Sequence, residues 1–185
     1  MNIKTFTKYN DQETLKFISE DGAHFLPIFF LNNFNLFPHY KSIQNLTFED
    51  LVIINTLGFY ESEELGKYIF LRNNSKIKRV GIFKKFTEET CGLFVFREQL
   101  MNAIQYFTKW EFERVDKMRR DLGKLNMKCK EPFVACFNDK NMGDSIFNTL
   151  YENRTHSLQK SYIEKIVKQF FFLAYCYKHD ANLFF

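Results

Sequence analysis

The stretch KYIFLRNNSKIKRVGIFKKFTEETCGLFVFR, residues 67–97, decides how the chain is read. Within it, residues 68–71 (YIFL), 80–83 (VGIF) and 93–96 (LFVF) are short runs of β-branched and aromatic side chains. Residues 73–75 (NNS) and 87–90 (TEET) lie between them and carry turn formers. Short β-prone runs bounded by such residues predict three antiparallel strands in a meander.

Helical patterns flank this segment. Upstream, Thr47 can cap a helix that starts at Phe48, with Asp50 at the third helical position and Gly58 as its stop. Downstream, Leu100, Ile104, Phe107, Val115, Met118 and Leu122 recur at three- and four-residue steps. They predict one long helix over 98–122, interrupted only by Glu111 and ended by Gly123. A last helix is predicted over 157–177, with Leu158, Tyr162, Ile163, Ile166, Phe170, Leu173 and Tyr177 on one side. The fold class read from the sequence is therefore α+β: N-terminal helices, a small antiparallel three-stranded sheet in the middle, and two long C-terminal helices.

A chain of 185 residues predicts a single domain, 1–185, able to bury a sizeable core. Its organisation shows in charge. Residues 1–66 hold 4 basic and 9 acidic side chains, residues 67–130 hold 16 and 7, and residues 131–185 hold 6 of each. An acidic helical part thus precedes a basic strand-plus-helix part and a neutral helical part, although the whole chain carries only +4. The 24 Phe and 9 Tyr argue against disorder. With abundant Ile, Asn and Lys and scarce Gly and Pro, they point to an AT-rich genome.

The N-terminus shows no signal-peptide pattern, and its Asp11 and Glu13 are unlike a transit peptide. The most apolar run, 25–37, is short for a bilayer span and is broken by Asn32, Asn33 and Asn35. An intracellular protein is expected, whether cytoplasmic, of an organellar matrix or virion-associated, and neither secreted nor membrane-bound. The cysteines at 91, 129, 136 and 176 lack zinc-finger spacing, and the histidines at 24, 39, 156 and 179 lie in separate segments. No metal or other cofactor is expected, and the thiols are expected to be buried or inert.

Motifs for catalysis fail on their partners. Gly143-Asp-Ser-Ile146 resembles the nucleophile block of GDSL-type esterases, a chemistry that also needs a general base and an oxyanion hole. The Asp-x-x-His of that family is absent, because His156 has Asn153 three residues before it. Asp144 or Ser145 is read instead as a helix cap. Glu61, Glu63 and Glu64 followed by Lys67 lack the alternation that would hold a metal against a phosphate. Residues 69–73 and 92–96 resemble the two RNA-contacting strands of an RNA-recognition motif, but no helix is predicted between them. No family is assigned on these grounds, and the chain is expected not to be an enzyme.

The basic middle remains. Lys76, Lys78, Arg79, Lys84 and Lys85 crowd the predicted central strand, and Arg114, Lys117, Arg120 and Lys124 crowd the predicted long helix, with Arg119, Lys128 and Lys130 nearby. Converging on one surface, such cations attract phosphates and release counterions. Phe83, Phe86 and Trp110 could add stacking surface. Against this stand ordinary intrahelical pairs, Glu113 with Lys117 and Asp116 with Arg120. The expectation is a non-catalytic subunit of a larger, nucleoprotein assembly from an AT-rich viral, phage or organellar genome. Its partners would be nucleic acid or an acidic protein surface, together with other protein subunits. The alternative is a protein–protein interaction module, a host-factor inhibitor or particle structural component, that makes no nucleic-acid contact and presents aromatic anchors.

Overall fold

A computed structural model of the chain describes residues 3–20, 36–59, 63–74, 81–154 and 158–179. In chain order its helices are α1 (Gln12–Ser19), α2 (Phe37–Lys41), α3 (Phe48–Phe59), α4 (Glu64–Asn73), α5 (Lys84–Thr87), α6 (Arg97–Thr108), α7 (Phe112–Gly123), α8 (Lys130–Val134), α9 (Lys140–Glu152) and α10 (Lys160–His179). Short 3-10 turns stand at Ile3–Thr5, Glu88–Thr90 and Met127–Cys129. The chain divides into two compact units, Met1–Lys78 with Lys160–Phe185, and Arg79–Gln159.

The predicted sheet does not form: the described residues contain no strand. Residues 68–71 are helical and belong to α4. Their helix buries Leu65 and Tyr68 three residues apart, and Arg72, one turn further, reaches Asp50 of α3. A four-residue apolar run cannot distinguish helix from strand, and tertiary partners decide it. Val80 lies outside the described residues, and 81–83 form a bend and turn. Gly81 supplies a φ of 147° there, a value that side chains resist.

Residues 93–95 belong to neither helix nor strand, and Leu93, Phe94, Val95 and Phe96 are all buried with no ladder to satisfy them. Gln99, only 4% exposed, does so instead. Its Oε1 accepts from the Val95 and Phe96 amides at 2.7 and 2.9 Å. Its Nε2 donates to Thr90 Oγ1 at 2.7 Å and to the Phe86 carbonyl at 3.0 Å. A single amide side chain thus satisfies buried backbone groups that a sheet partner would otherwise have to meet.

In the first unit, α3 is buried from Asp50 through Gly58 and packs on α2, α4 and α10. A helix apolar around its whole circumference must sit inside. Its start follows the expected capping box: Thr47 N donates to Asp50 Oδ2 at 2.9 Å, and Asp50 N to Thr47 Oγ1 at 3.2 Å. Gly58 is needed for closeness, since a Cβ there would lie 2.5 Å from Leu36 Cδ2. The final helix spans 160–179, and its buried stripe is Ile163, Val167, Phe170, Phe171 and Ala174. Tyr162, expected inside, is 47% exposed. Phe6 sets this rotation, with ring centroids 4.9 Å from Tyr175 and 5.3 Å from Phe172. Such ring pairs add about 0.5–1.5 kcal/mol beyond area burial.

In the second unit, α6, α7, α8 and α9 enclose a core that includes Phe94, Leu100, Ile104, Val115, Met118, Leu122, Phe133, Phe147 and Leu150. The long helix predicted over 98–122 is two helices, α6 and α7. Lys109 breaks it by adopting φ 59° and closing α6 with a 2.8 Å bond from its amide to the Gln105 carbonyl. Thr108 Oγ1 then accepts from the Trp110 amide at 3.2 Å, which fixes the turn into α7. No helix among the described residues is long and apolar enough to cross a membrane.

Candidate nucleic-acid interface

The α6–α7 turn builds a surface that the sequence pattern does not show. Because α6 stops at Lys109, Trp110 stands at the corner between the two helices, half-buried, with Tyr106 one turn back on α6 and Arg114 one turn on along α7. Two adjacent depressions share Trp110 as a wall. One, of about 470 Å³, is lined by Trp110, Arg114, Lys117, Met118, Asp121, Asn126, Lys128, Cys129 and Pro132. The other, of about 440 Å³, is lined by Phe86, Asn102, Gln105, Tyr106, Lys109, Trp110 and Glu111.

Cations stand on the aromatic faces of this surface. The Arg114 guanidinium lies 3.8 Å from the Trp110 ring centroid, and Lys109 Nζ lies 4.4 Å from that of Tyr106. Lys85 also sits over Tyr106, and lies 5.0 Å from Phe86. Each contact is a cation–π attraction, worth about 0.5–1 kcal/mol where exposed. The hydrogen bond from Lys85 and its charge, with a smaller contribution from Lys109, hold the Tyr106 phenol below the usual tyrosine range. The groove's thiol, Cys129, is shifted the other way: burial first, then the Asp121 carboxylate, push it up.

The nine cations singled out by sequence part company here. Lys76, Lys78 and Arg79 lie outside the described residues. Lys84 is drawn to Glu88 at 3.8 Å, and Arg120 to Asp116 at 2.6 Å, so their charge is met within the chain. Lys124 closes α7 as its C-cap and lines neither depression. Arg114 and Lys117 line the larger depression, Lys85 lies over Tyr106 of the other, and none of the three has a carboxylate partner among the described residues. The expected Glu113–Lys117 pair is absent there, whereas the Asp116–Arg120 pair forms.

Lys109 and Lys128 complete the group. Neither was singled out as a site residue, although Lys128 falls in the basic run; Lys109 would have needed the helix break to be foreseen. Two acids interrupt the surface: Glu111, and Asp121, whose Oδ1 accepts from Asn126 Nδ2 at 3.2 Å. Phe83, Phe86 and Trp110 are all half-buried and pack on the core; Trp110 walls both depressions, Phe86 one, and Phe83 neither. Among the described residues most Phe side chains turn inward, and the exposed large hydrophobics of that type are Phe59, Phe70 and Phe112.

The other sequence candidates resolve into structure. Gly143-Asp-Ser-Ile146 lies within α9, whose cap is Asp139, accepting from the Asn141 amide at 2.9 Å, and not Asp144 or Ser145. Asp144 pairs with Lys130 at 2.9 Å. His179 joins Asp11 at 3.0 Å, while His24 and His156 lie outside the described residues. No group of metal-binding side chains occurs among the described residues. Cys91 and Cys176 are buried, Cys129 is half-buried, and Cys136 is exposed.

A protein-family model described as the bacterial DNA polymerase III alpha subunit finger domain matches residues 1–141. No curated protein matches the chain. The family match overturns the expectation that the chain is not an enzyme, because the matched domain is part of a polymerase subunit.

Proposed function

The chain belongs to the bacterial DNA polymerase III alpha subunit finger-domain family, and from that premise we propose that the Trp110 corner is where it meets the phosphate backbone of DNA. Its role is DNA-polymerase-related and nucleic-acid-associated, and its partners are DNA and other polymerase subunits. The carrying observation is the gathering of Lys85, Lys109, Arg114, Lys117 and Lys128 around Tyr106 and Trp110 with no carboxylate partner among the described residues. A cation matched inside its own chain gains little by meeting a phosphate. Lys85, Lys109 and Arg114 rest on ring faces, a contact weaker than the charge-assisted bond that a phosphate offers. Contacts of this kind give affinity and position without reading bases. The 24 Phe against 7 Gly and 3 Pro support an AT-rich genome, such as that of a phage, virus or organelle, as the source.

Five neutralised phosphates imply a log–log salt slope of about −3.5 on a single strand and about −4.5 on B-DNA, so a fourfold rise in salt weakens binding roughly a hundredfold or more. Fluorescence anisotropy of a labelled oligonucleotide against the full chain measures this. The triple variant Lys85→Gln, Lys117→Gln, Lys128→Gln is expected to flatten the slope by about 2 to 3. An unchanged slope in that variant, or no binding at low salt, defeats the proposal.

A further inference from the structure

We infer that this face takes single-stranded rather than double-stranded nucleic acid, with Trp110 and Tyr106 as stacking platforms for successive bases. The inference rests on the phosphate-docking reading and adds the state of the strand. Tyr106 is 47% exposed, far more than a tyrosine serving only a core, and Trp110 walls two open depressions rather than closing one. Trp110 packs one edge on the core, with its ring centroid 6.5 Å from that of Phe133, and leaves the rest of the ring to the two depressions. In a duplex the base faces are covered by their neighbours, and exposed rings at a phosphate-binding surface have nothing to stack on. In a single strand every base offers a free face.

The cations give the arrangement a second use. Arg114 rests 3.8 Å from the Trp110 centroid, Lys109 rests 4.4 Å from that of Tyr106, and Lys85 lies against the same ring. A base that stacks on Tyr106 displaces a lysine from the ring onto the adjacent phosphate, so the weaker cation–π contact is exchanged for two stronger ones. Arg114 can keep its place on Trp110 and carry a base on its outer side, because a guanidinium plane stacks on both faces. The charged groups remain where a strand passing Trp110 presents its backbone, with Lys117 and Lys128 on the wall of the larger groove.

Trp110 is the only tryptophan in the chain, so its emission reports stacking without any substitution. The test titrates the full chain at low salt with an oligothymidylate of about 16 nucleotides, and with a duplex of equal length. Expected are quenching of Trp110 emission by the single strand and little by the duplex, with single-strand affinity at least about tenfold higher. Tyr106→Leu, at an exposed position, is expected to lower single-strand affinity about tenfold while leaving the salt slope unchanged. Single-strand binding that leaves Trp110 emission unaltered, or duplex binding of equal affinity, overturns the inference while phosphate docking stands. Failure of both probes to bind at low salt overturns both.

Discussion

Replacing Asp50 removes the carboxylate that joins α3 to α4, and the structure allows the cost to be worked through. Asp50 is 1% exposed and accepts five hydrogen bonds. Thr47 gives two, from its amide at 2.9 Å and its hydroxyl at 2.8 Å. Tyr68 gives one at 2.6 Å, and Arg72 gives two, at 2.8 and 3.1 Å. In Asp50→Ala the buried Tyr68 hydroxyl loses its 2.6 Å bond to the carboxylate, while the Arg72 side chain, 28% exposed, can turn to water.

Removing one member of a fully buried ion pair costs about 3–5 kcal/mol, and the exposure of Arg72 places this case near 3. Asp50→Asn keeps the volume and one acceptor but sets an amide donor against other donors, for about 2 kcal/mol. Tyr68→Phe removes a single donor and leaves the carboxylate four others, for about 1 kcal/mol. Urea unfolding of the full chain followed by circular dichroism at 222 nm reads the series. At a slope of about 2 kcal/mol/M, Asp50→Ala should lower the midpoint by about 1.5 M. A shift under about 0.5 M, or Tyr68→Phe costing as much as Asp50→Ala, would refute the assignment of this carboxylate as the tie between the helices.

Gly58→Ala places a Cβ 2.5 Å from Leu36 Cδ2 and should cost about 1–3 kcal/mol in the same assay, with part regained in the Leu36→Ala, Gly58→Ala pair. Asp11 titrates below the ordinary carboxylate value, because although burial pushes it up, hydrogen bonds from Thr14 and the contact with His179 outweigh that push. Its contribution is therefore complete above about pH 4 and lost as pH falls through the depressed value. Asp11→Asn, which retains a cap, should flatten stability against pH in that acid range and leave neutral-pH behaviour nearly unchanged. The lowered Tyr106 phenol should ionise at a lower pH than a free tyrosine when followed by ultraviolet difference absorbance, and Lys85→Gln should move it back up. An unmoved Tyr106 titration in that variant would remove Lys85 from the ring.

What was legible in the sequence is what depends on neighbours along the chain. The Thr47–Asp50 capping box needs only four consecutive residues, and it stands where the pattern put it. The last helix was visible because 20 residues of periodicity outlast local ambiguity. The face it buries was not, since Phe6, 165 residues away in sequence from Phe171, helps to choose it. The predicted sheet failed for a related reason. Four-residue runs such as YIFL and LFVF satisfy strand and helix alike, and the deciding groups were side chains elsewhere: Asp50 receiving Arg72 for the first, and Gln99 standing in for a strand partner for the second.

The basic surface was half visible for a different physical reason. Sequence shows where charge is made but not where it is already answered, and the same helix α7 holds both cases. Arg119 and Arg120 turn to Asp116, at 2.9 and 2.6 Å, while Arg114 and Lys117 face the groove. Helix geometry puts Arg119 and Arg120, three and four residues on, within reach of Asp116, but it does not decide the matter alone, since Glu113 and Lys117 are equally four apart and do not pair among the described residues. The break at Lys109 then decides what that free face meets. Had α6 run on through 110, Trp110 would be one more helical residue, not the corner shared by two depressions. Glycine is the residue that most readily adopts a φ of 59°, and its absence at 109 hid the break in the pattern. A lysine accepts that strain there and lies over Tyr106.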